Sequence, residues 1–146
     1  MDIFTIMVVL WTLLTLMWVV GGCALLWFIL SWRRTQAQKL MLSQCDVAMQ
    51  FPQFSAPEDH LDLHSHTVDG ERTAFAQYEW YVARLVFTLD RCLSFGPRSR
   101  WRAVVDTELA SHKRYLTSDH FKQQGCLAHY SRRMQRLISR LQGEAA

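Results

Sequence analysis

The chain has 146 residues, 50% of them hydrophobic, with 16 Lys and Arg against 13 Asp and Glu for a net charge of +3. Its four cysteines, Cys23, Cys45, Cys92 and Cys126, fall at unrelated spacings, which excludes a CxxC redox centre and fits free thiols of a reducing compartment. The GxSxG, P-loop, dinucleotide-fingerprint and HExxH patterns are all missing, so enzymatic activity is not expected.

From Ile3 to Trp32 the only ionisable side chain is Cys23, and Arg33-Arg34 follow directly. As a helix this stretch measures about 45 Å, against a hydrocarbon core of about 30 Å. A transmembrane helix is therefore expected. A secretory signal would need a basic start and an apolar run of about 7–15 residues; here only Asp2 precedes a much longer run. Val20-Gly21-Gly22-Cys23 has the look of a lipoprotein cleavage box, but the apolar run continues through Leu30. Retention as an anchor is the expectation. Arg33, Arg34 and Lys39 flank the span on its C-terminal side, so the positive-inside rule places everything after it in the cytoplasm.

Within the span, Thr5, Val8, Thr12, Thr15, Val19 and Gly22 share a sector about 100° wide, opposite Met7, Leu10, Leu14, Met17, Trp18, Leu25 and Phe28. Small and hydroxylated residues let helix backbones approach closely in lipid. Thr5, Thr12, Thr15 and Gly22 are thus the candidate contacts to an integral membrane partner. Trp27 and Trp32 suit the membrane interface.

Residues 1–50 are expected to form this transmembrane helix and a cytoplasmic extension of it, stopped by Pro52 and Pro57. Residues 51–69 then read as an extended His- and Asp-rich linker. Within it His60, Asp62, His64 and His66 alternate, and an extended backbone would turn all four to one side. Imidazole and carboxylate suit Zn²⁺ or Cu²⁺, which makes these four the only metal candidates. A solvated polar loop is the competing reading, and no cofactor is expected.

Residues 70–146 turn helical. Phe75, Tyr78, Val82, Leu85, Val86, Leu89 and Leu93 form one apolar stripe, which Gly96-Pro97 should end. Trp101, Val104, Val105, Leu109, His112 and Leu116 form a second. Thr117-Ser118-Asp119 offers a cap for a short helix through Phe121, closed by Gly125, and Tyr130, Met134, Leu137, Ile138 and Leu141 form the last stripe. No alternating strand pattern is visible. The expected fold is all-α: one N-terminal transmembrane helix plus a small soluble domain of three to four helices.

Charge is uneven. Residues 33–72 carry four basic and six acidic groups, and residues 73–146 twelve basic and six acidic. Arg98, Arg100 and Arg102 cluster at one helix start, and Arg132, Arg133, Arg136 and Arg140 line the last helix. Beside a bilayer such residues suit anionic lipid headgroups, at about 1 kcal/mol for each one near the surface. Nucleic acid is not expected, because no binding motif accompanies the arginines. Glu79 and Asp90 are expected to pair with neighbouring arginines, His112 to sit in the core, and Lys113-Arg114-Tyr115 to face water.

The run Tyr78-Glu79-Trp80-Tyr81-Val82-Ala83-Arg84-Leu85, then Trp101-Arg102, His112, Tyr115-Leu116 and Phe121, resembles a group of uncharacterised bacterial proteins with an N-terminal membrane helix and a small helical domain of unknown function. The likeness covers residues 75–140 and implies no activity. It places the chain in a bacterial inner membrane. The expected function is that of a non-catalytic accessory, assembly or regulatory subunit of a membrane complex. Arg33, Arg34, Arg98, Arg102, Arg133 and Arg136 would contact integral membrane subunits or anionic lipid headgroups. A membrane-tethered metal-binding module and a membrane-anchored signalling adaptor are the alternatives.

Overall fold

No proline interrupts the chain between Asp2 and Phe51, and this stretch forms a single helix, α1, from Ile3 to Gln50. In this computed structural model, residues 2–55, 57, 60–95 and 98–144 are described, with 98–100 described by backbone alone. The chain divides into two compact units, residues 1–35 and 36–146.

The first unit is the apolar part of α1. No residue of its most apolar window is buried within the chain, and among the described residues α1 is the one helix long and apolar enough to cross a membrane. Its exposed Ile, Leu, Val, Phe and Trp side chains would carry a heavy hydration penalty in water, at about 25 cal/mol per Å² of apolar surface.

The second unit is built around α2, Arg72–Phe95. The 3-4 spacing of its apolar residues gives it a face wide enough to be covered from several sides: Phe75, Tyr78, Tyr81, Val82, Leu85, Val86, Leu89, Cys92 and Leu93 are all buried. The end of α1 lies antiparallel along it. Cys92 Sγ donates to the Ala37 carbonyl at 3.5 Å, and the Arg84 guanidinium donates to the Ser43 hydroxyl at 2.8 Å and carbonyl at 3.2 Å.

α3 (Arg98–Ser111) supplies Val105 and Leu109 to the core. The second predicted stripe is split at His112, whose backbone (φ −113°, ψ 17°) leaves helical geometry before the single turn α4 (Lys113–Leu116). The Ser118 hydroxyl accepts from the Phe121 N–H at 3.2 Å and caps α5 (Asp119–Gln123). Gly125 follows with φ +65°, a left-handed conformation that glycine adopts without strain. Ser131 caps α6 (Arg132–Gly143) in the same way, and Met134 and Ile138 complete the core. The all-α class is as expected, with α4 and α5 only four and five residues long. The predicted cap at Gly96-Pro97 lies outside the described residues.

Residues 51–69 depart from the expected solvated linker. Pro52–Phe54 form a 3-10 turn, and a two-stranded antiparallel hairpin follows, β1 (Leu61–Asp62) and β2 (Thr67–Val68), in the register Leu61 to Val68. Phe54, Leu61 and Val68 are each no more than 3% exposed and belong to the core. Their burial beside α2 makes this segment part of the folded unit, which begins at residue 36 rather than at residue 70. Two residues per strand are too few for an alternation to register as a pattern.

Candidate functional site

On α1 the hydroxyls of Thr12 and Thr15 donate to the carbonyls of Val9 (2.8 Å) and Thr12 (2.9 Å). Their donors are thus satisfied within the helix, and what they offer a neighbour is a small, internally bonded surface. Thr5 is exposed, and Gly22 has open space where a side chain would stand. Gly21 and Gly22 make a notch walled by Leu14, Met17, Trp18 and Leu25. Those walls come from the bulky sector of the helix, so Gly22 borders both faces.

The four metal candidates do not converge. His60 Nδ1 lies 2.6 Å from an Asp69 carboxylate oxygen. Asp62 accepts from the N–H groups of His64 (2.9 Å) and Ser65 (3.4 Å) and from the Ser65 hydroxyl (2.7 Å), closing the hairpin turn. The Ser65 hydroxyl bond and those two backbone bonds hold the Asp62 carboxyl below its ordinary pKa. His66, in a left-handed conformation (φ +53°), packs its ring edge-on to Phe75 and 4.6 Å from the ring of His120. The turn, not an extended strand, sets these directions. Among the described residues no group of three or more His, Cys, Asp or Glu side chains is arranged to hold a metal.

Glu79 meets partners other than the arginines expected for it. One of its carboxylate oxygens accepts from the Gln124 amide (2.7 Å) and the Tyr115 hydroxyl (3.3 Å) and lies 2.5 Å from His120 Nε2. This network joins α2, α4 and α5, and it draws Tyr115 to 2% exposure where the sequence suggested water. Burial, with Glu79 alongside, raises the Tyr115 pKa and keeps the phenol protonated. His120 also lines a cleft of about 500 Å³ with Leu63, His64, His66, Ser118, Asp119 and Gln123. Its one hydroxyl, Ser118, is engaged as the α5 cap, so the cleft presents no activated nucleophile.

Asp90 likewise meets Ser131. Its two oxygens accept from the N–H (2.9 Å) and hydroxyl (2.5 Å) of Ser131. His112 is a core residue, 1% exposed, with Nδ1 at 3.0 Å from the Tyr78 hydroxyl. Burial lowers its pKa to about 4, so it is neutral at physiological pH. The same cause pushes the Cys92 thiol up to about 11 and the Tyr130 phenol up to about 12, which leaves neither ionised near neutrality.

The arginines lie mainly on surfaces. Arg102 makes a 3.7 Å ion pair with Asp106, both side chains more than half exposed; such pairs contribute little. Arg136 lines an open groove of about 550 Å³ with Leu127, Arg132, Gln135, Ser139 and Arg140. Arg133 is half-buried on the same helix, and α6 carries no acidic residue. Arg33 and Arg34 are exposed at the end of the apolar segment, while the side chain of Arg98 lies outside the described residues.

One feature went unread in the sequence. Trp80 is 78% exposed and borders a groove of about 300 Å³ shared with Val47, Phe51, Phe54, Gln77, Tyr81 and Arg84. Trp80 falls opposite the buried stripe of α2, and that placement was the available signal. Compared with known families, curated proteins and solved structures, the chain matches none.

Proposed function

We propose that this protein is a non-catalytic, single-pass accessory, assembly or regulatory subunit of a bacterial inner-membrane complex, with residues 36–146 in the cytoplasm. The observation that carries the proposal is the double use of α1. Its first part is apolar and unburied within the chain, while Ala37 and Gln44 of the same helix are buried in the second unit. The α1 sequence thus supplies both an apolar segment and residues of the folded core. Lateral contact in the bilayer falls to the Thr12 and Thr15 face and to Gly22. Polar contact to acidic partner surfaces falls to Arg102, Arg133 and Arg136.

Purification of the C-terminally tagged chain in a mild detergent tests this. Integral membrane proteins should co-purify, and Thr12→Leu with Thr15→Leu should reduce their recovery. A lone monomer under every detergent would overturn the proposal. A tethered signalling adaptor is the second reading, favoured by the exposed Trp80 beside its groove. In that case in-cell crosslinking captures soluble cytoplasmic proteins, and Trp80→Ala abolishes the capture.

A further inference from the structure

From Gln77 onward the exposed residues of α2 are Gln77, Trp80, Arg84, Phe87, Arg91 and Ser94, each three or four positions from the last. That is the spacing of the a and d positions along a coiled-coil helix. The buried stripe of α2 is used up by its own core, so this line is a second 3-4 pattern on the same helix. A line facing only water needs nothing but polar residues. Here two aromatic rings stand on it, Trp80 at 78% exposure and Phe87 at 46%. They are seven residues apart, about 10.5 Å along the helix.

The arginines of the line are held in place. Arg84 stays exposed while its Nη2 donates to the Ser43 hydroxyl and carbonyl, and the Arg91 guanidinium lies 5.0 Å over the Phe87 ring. Beside Trp80 the groove of about 300 Å³ lies between α2 and the end of α1, with Val47, Phe51 and Phe54 on its wall. Trp80, Tyr81 and Arg84 meet at this groove, and Trp, Tyr and Arg are the side chains that most often dominate binding energy. Among the described residues, no Asp or Glu lines the groove or stands on the exposed line.

We infer that this line of α2, from Gln77 to Arg91, is a docking surface for an acidic amphipathic helix of a partner protein. Apolar side chains at 3-4 spacing on the partner pack around Trp80 and Phe87, one of them entering the groove, and its carboxylates meet Arg84 and Arg91. Both guanidinium groups are already held, so docking costs little of their side-chain freedom. The inference rests on the second reading, a protein that recruits others, and adds the face it uses and the chemistry of the partner. Against a second copy of this chain the line would set arginine against arginine with no carboxylate to answer. A helix of opposite charge is the occupant that it complements.

The test uses the full chain in phosphatidylcholine nanodiscs, with empty discs as the blank. The probe is a fluorescent synthetic helix of about three heptads, leucine at a and d and glutamate at e and g. Its anisotropy should rise saturably, and the same helix with lysine in place of glutamate should bind at least about tenfold more weakly. Trp80→Ala and Phe87→Ala should each weaken the glutamate helix by about tenfold or more. Arg91→Glu should narrow or reverse the preference between the two helices, a change that lost packing does not produce. Near-ultraviolet circular dichroism confirms that each variant is folded. Equal binding of the two helices, or binding that survives Trp80→Ala, overturns the inference. Binding of neither helix, with Trp80-dependent capture of cytoplasmic proteins intact, overturns it while leaving the adaptor reading in place. Dimerisation of the chain that Trp80→Ala abolishes assigns the line to a second copy and overturns it as well. So does quenching, by brominated phosphatidylcholine, of the fluorescence that Trp80→Ala removes, which assigns the line to lipid.

Discussion

Asp90 of α2 accepts hydrogen bonds from both the backbone N–H and the hydroxyl of Ser131, and the same hydroxyl accepts from the Met134 N–H. One carboxylate thus fixes the N-terminus of α6 to the central helix, 41 residues away in sequence. The hydroxyl serves as donor to one partner and acceptor to another. Neither role can be filled by an alanine.

Ser131→Ala should therefore destabilise the folded unit by about 1–2 kcal/mol, the usual cost of a lost cap with its charge-assisted bond. For a domain of this size that lowers the melting temperature by about 5 °C or more. Near-ultraviolet circular dichroism of the full chain in detergent reads the loss, because it follows packing rather than the helicity of the apolar segment. Asp90→Ala in the Ser131→Ala background should cost less than Asp90→Ala alone. Strict additivity would show that the two residues are not coupled.

Phe54→Ala examines whether residues 51–69 are structural. Phe54 is 1% exposed, stacks on Phe51 at 5.5 Å and meets the rings of Tyr78 and Tyr81 at 5.8 Å. Truncating a ring so placed leaves a cavity and should cost about 3–5 kcal/mol. A solvated linker would lose almost nothing, so denaturant titration separates the two descriptions.

The buried His112 should make stability pH-dependent. Its pKa is about 4 in the folded protein against 6.5 ordinarily, so between those values the unfolded chain binds the additional proton. Stability must then fall as pH drops from about 6.5 toward 4, and this group has no effect above that window. The total is on the order of 3 kcal/mol. His112→Gln, which retains a hydrogen-bonding group beside Tyr78, should remove this part of the slope. An unchanged slope in the variant would assign the effect elsewhere.

Glu79→Gln should weaken the junction of α2, α4 and α5. Glutamine keeps an acceptor for Gln124 or Tyr115 but loses the charge facing His120. The expected loss is about 1–2 kcal/mol at neutral pH. Glu79→Leu should cost more, because the Tyr115 hydroxyl and the Gln124 amide both lose an acceptor. Thermal melts of the two variants compare directly, and the reverse order would contradict the network.

Local signals were legible where neighbours along the chain decide the outcome. The apolar stripes of α2, α3 and α6 are read from 3-4 spacing, and the cap at Ser118 acts on an N–H group three residues onward. Partners of charged groups were not legible in this way. Glu79 and Asp90 have arginines close in sequence, yet each is satisfied by residues about 40 positions later, brought near by the packing of α4, α5 and α6. The His60 to His66 tract misled for a related reason. Its alternation implies one face only if the backbone is extended, and Asp62 bends it into a turn.

The sequence by itself determined that an apolar helix about 45 Å long begins this chain and that helices with one greasy face follow, because hydrophobicity and its period act over one or two turns. Only the tertiary structure decided that Phe54, Leu61 and Val68 join the core, that Tyr115 turns inward, and that Glu79 and Asp90 find their partners about 40 residues away. Those outcomes depend on which elements lie side by side, and contacts between distant segments leave no periodicity in the chain.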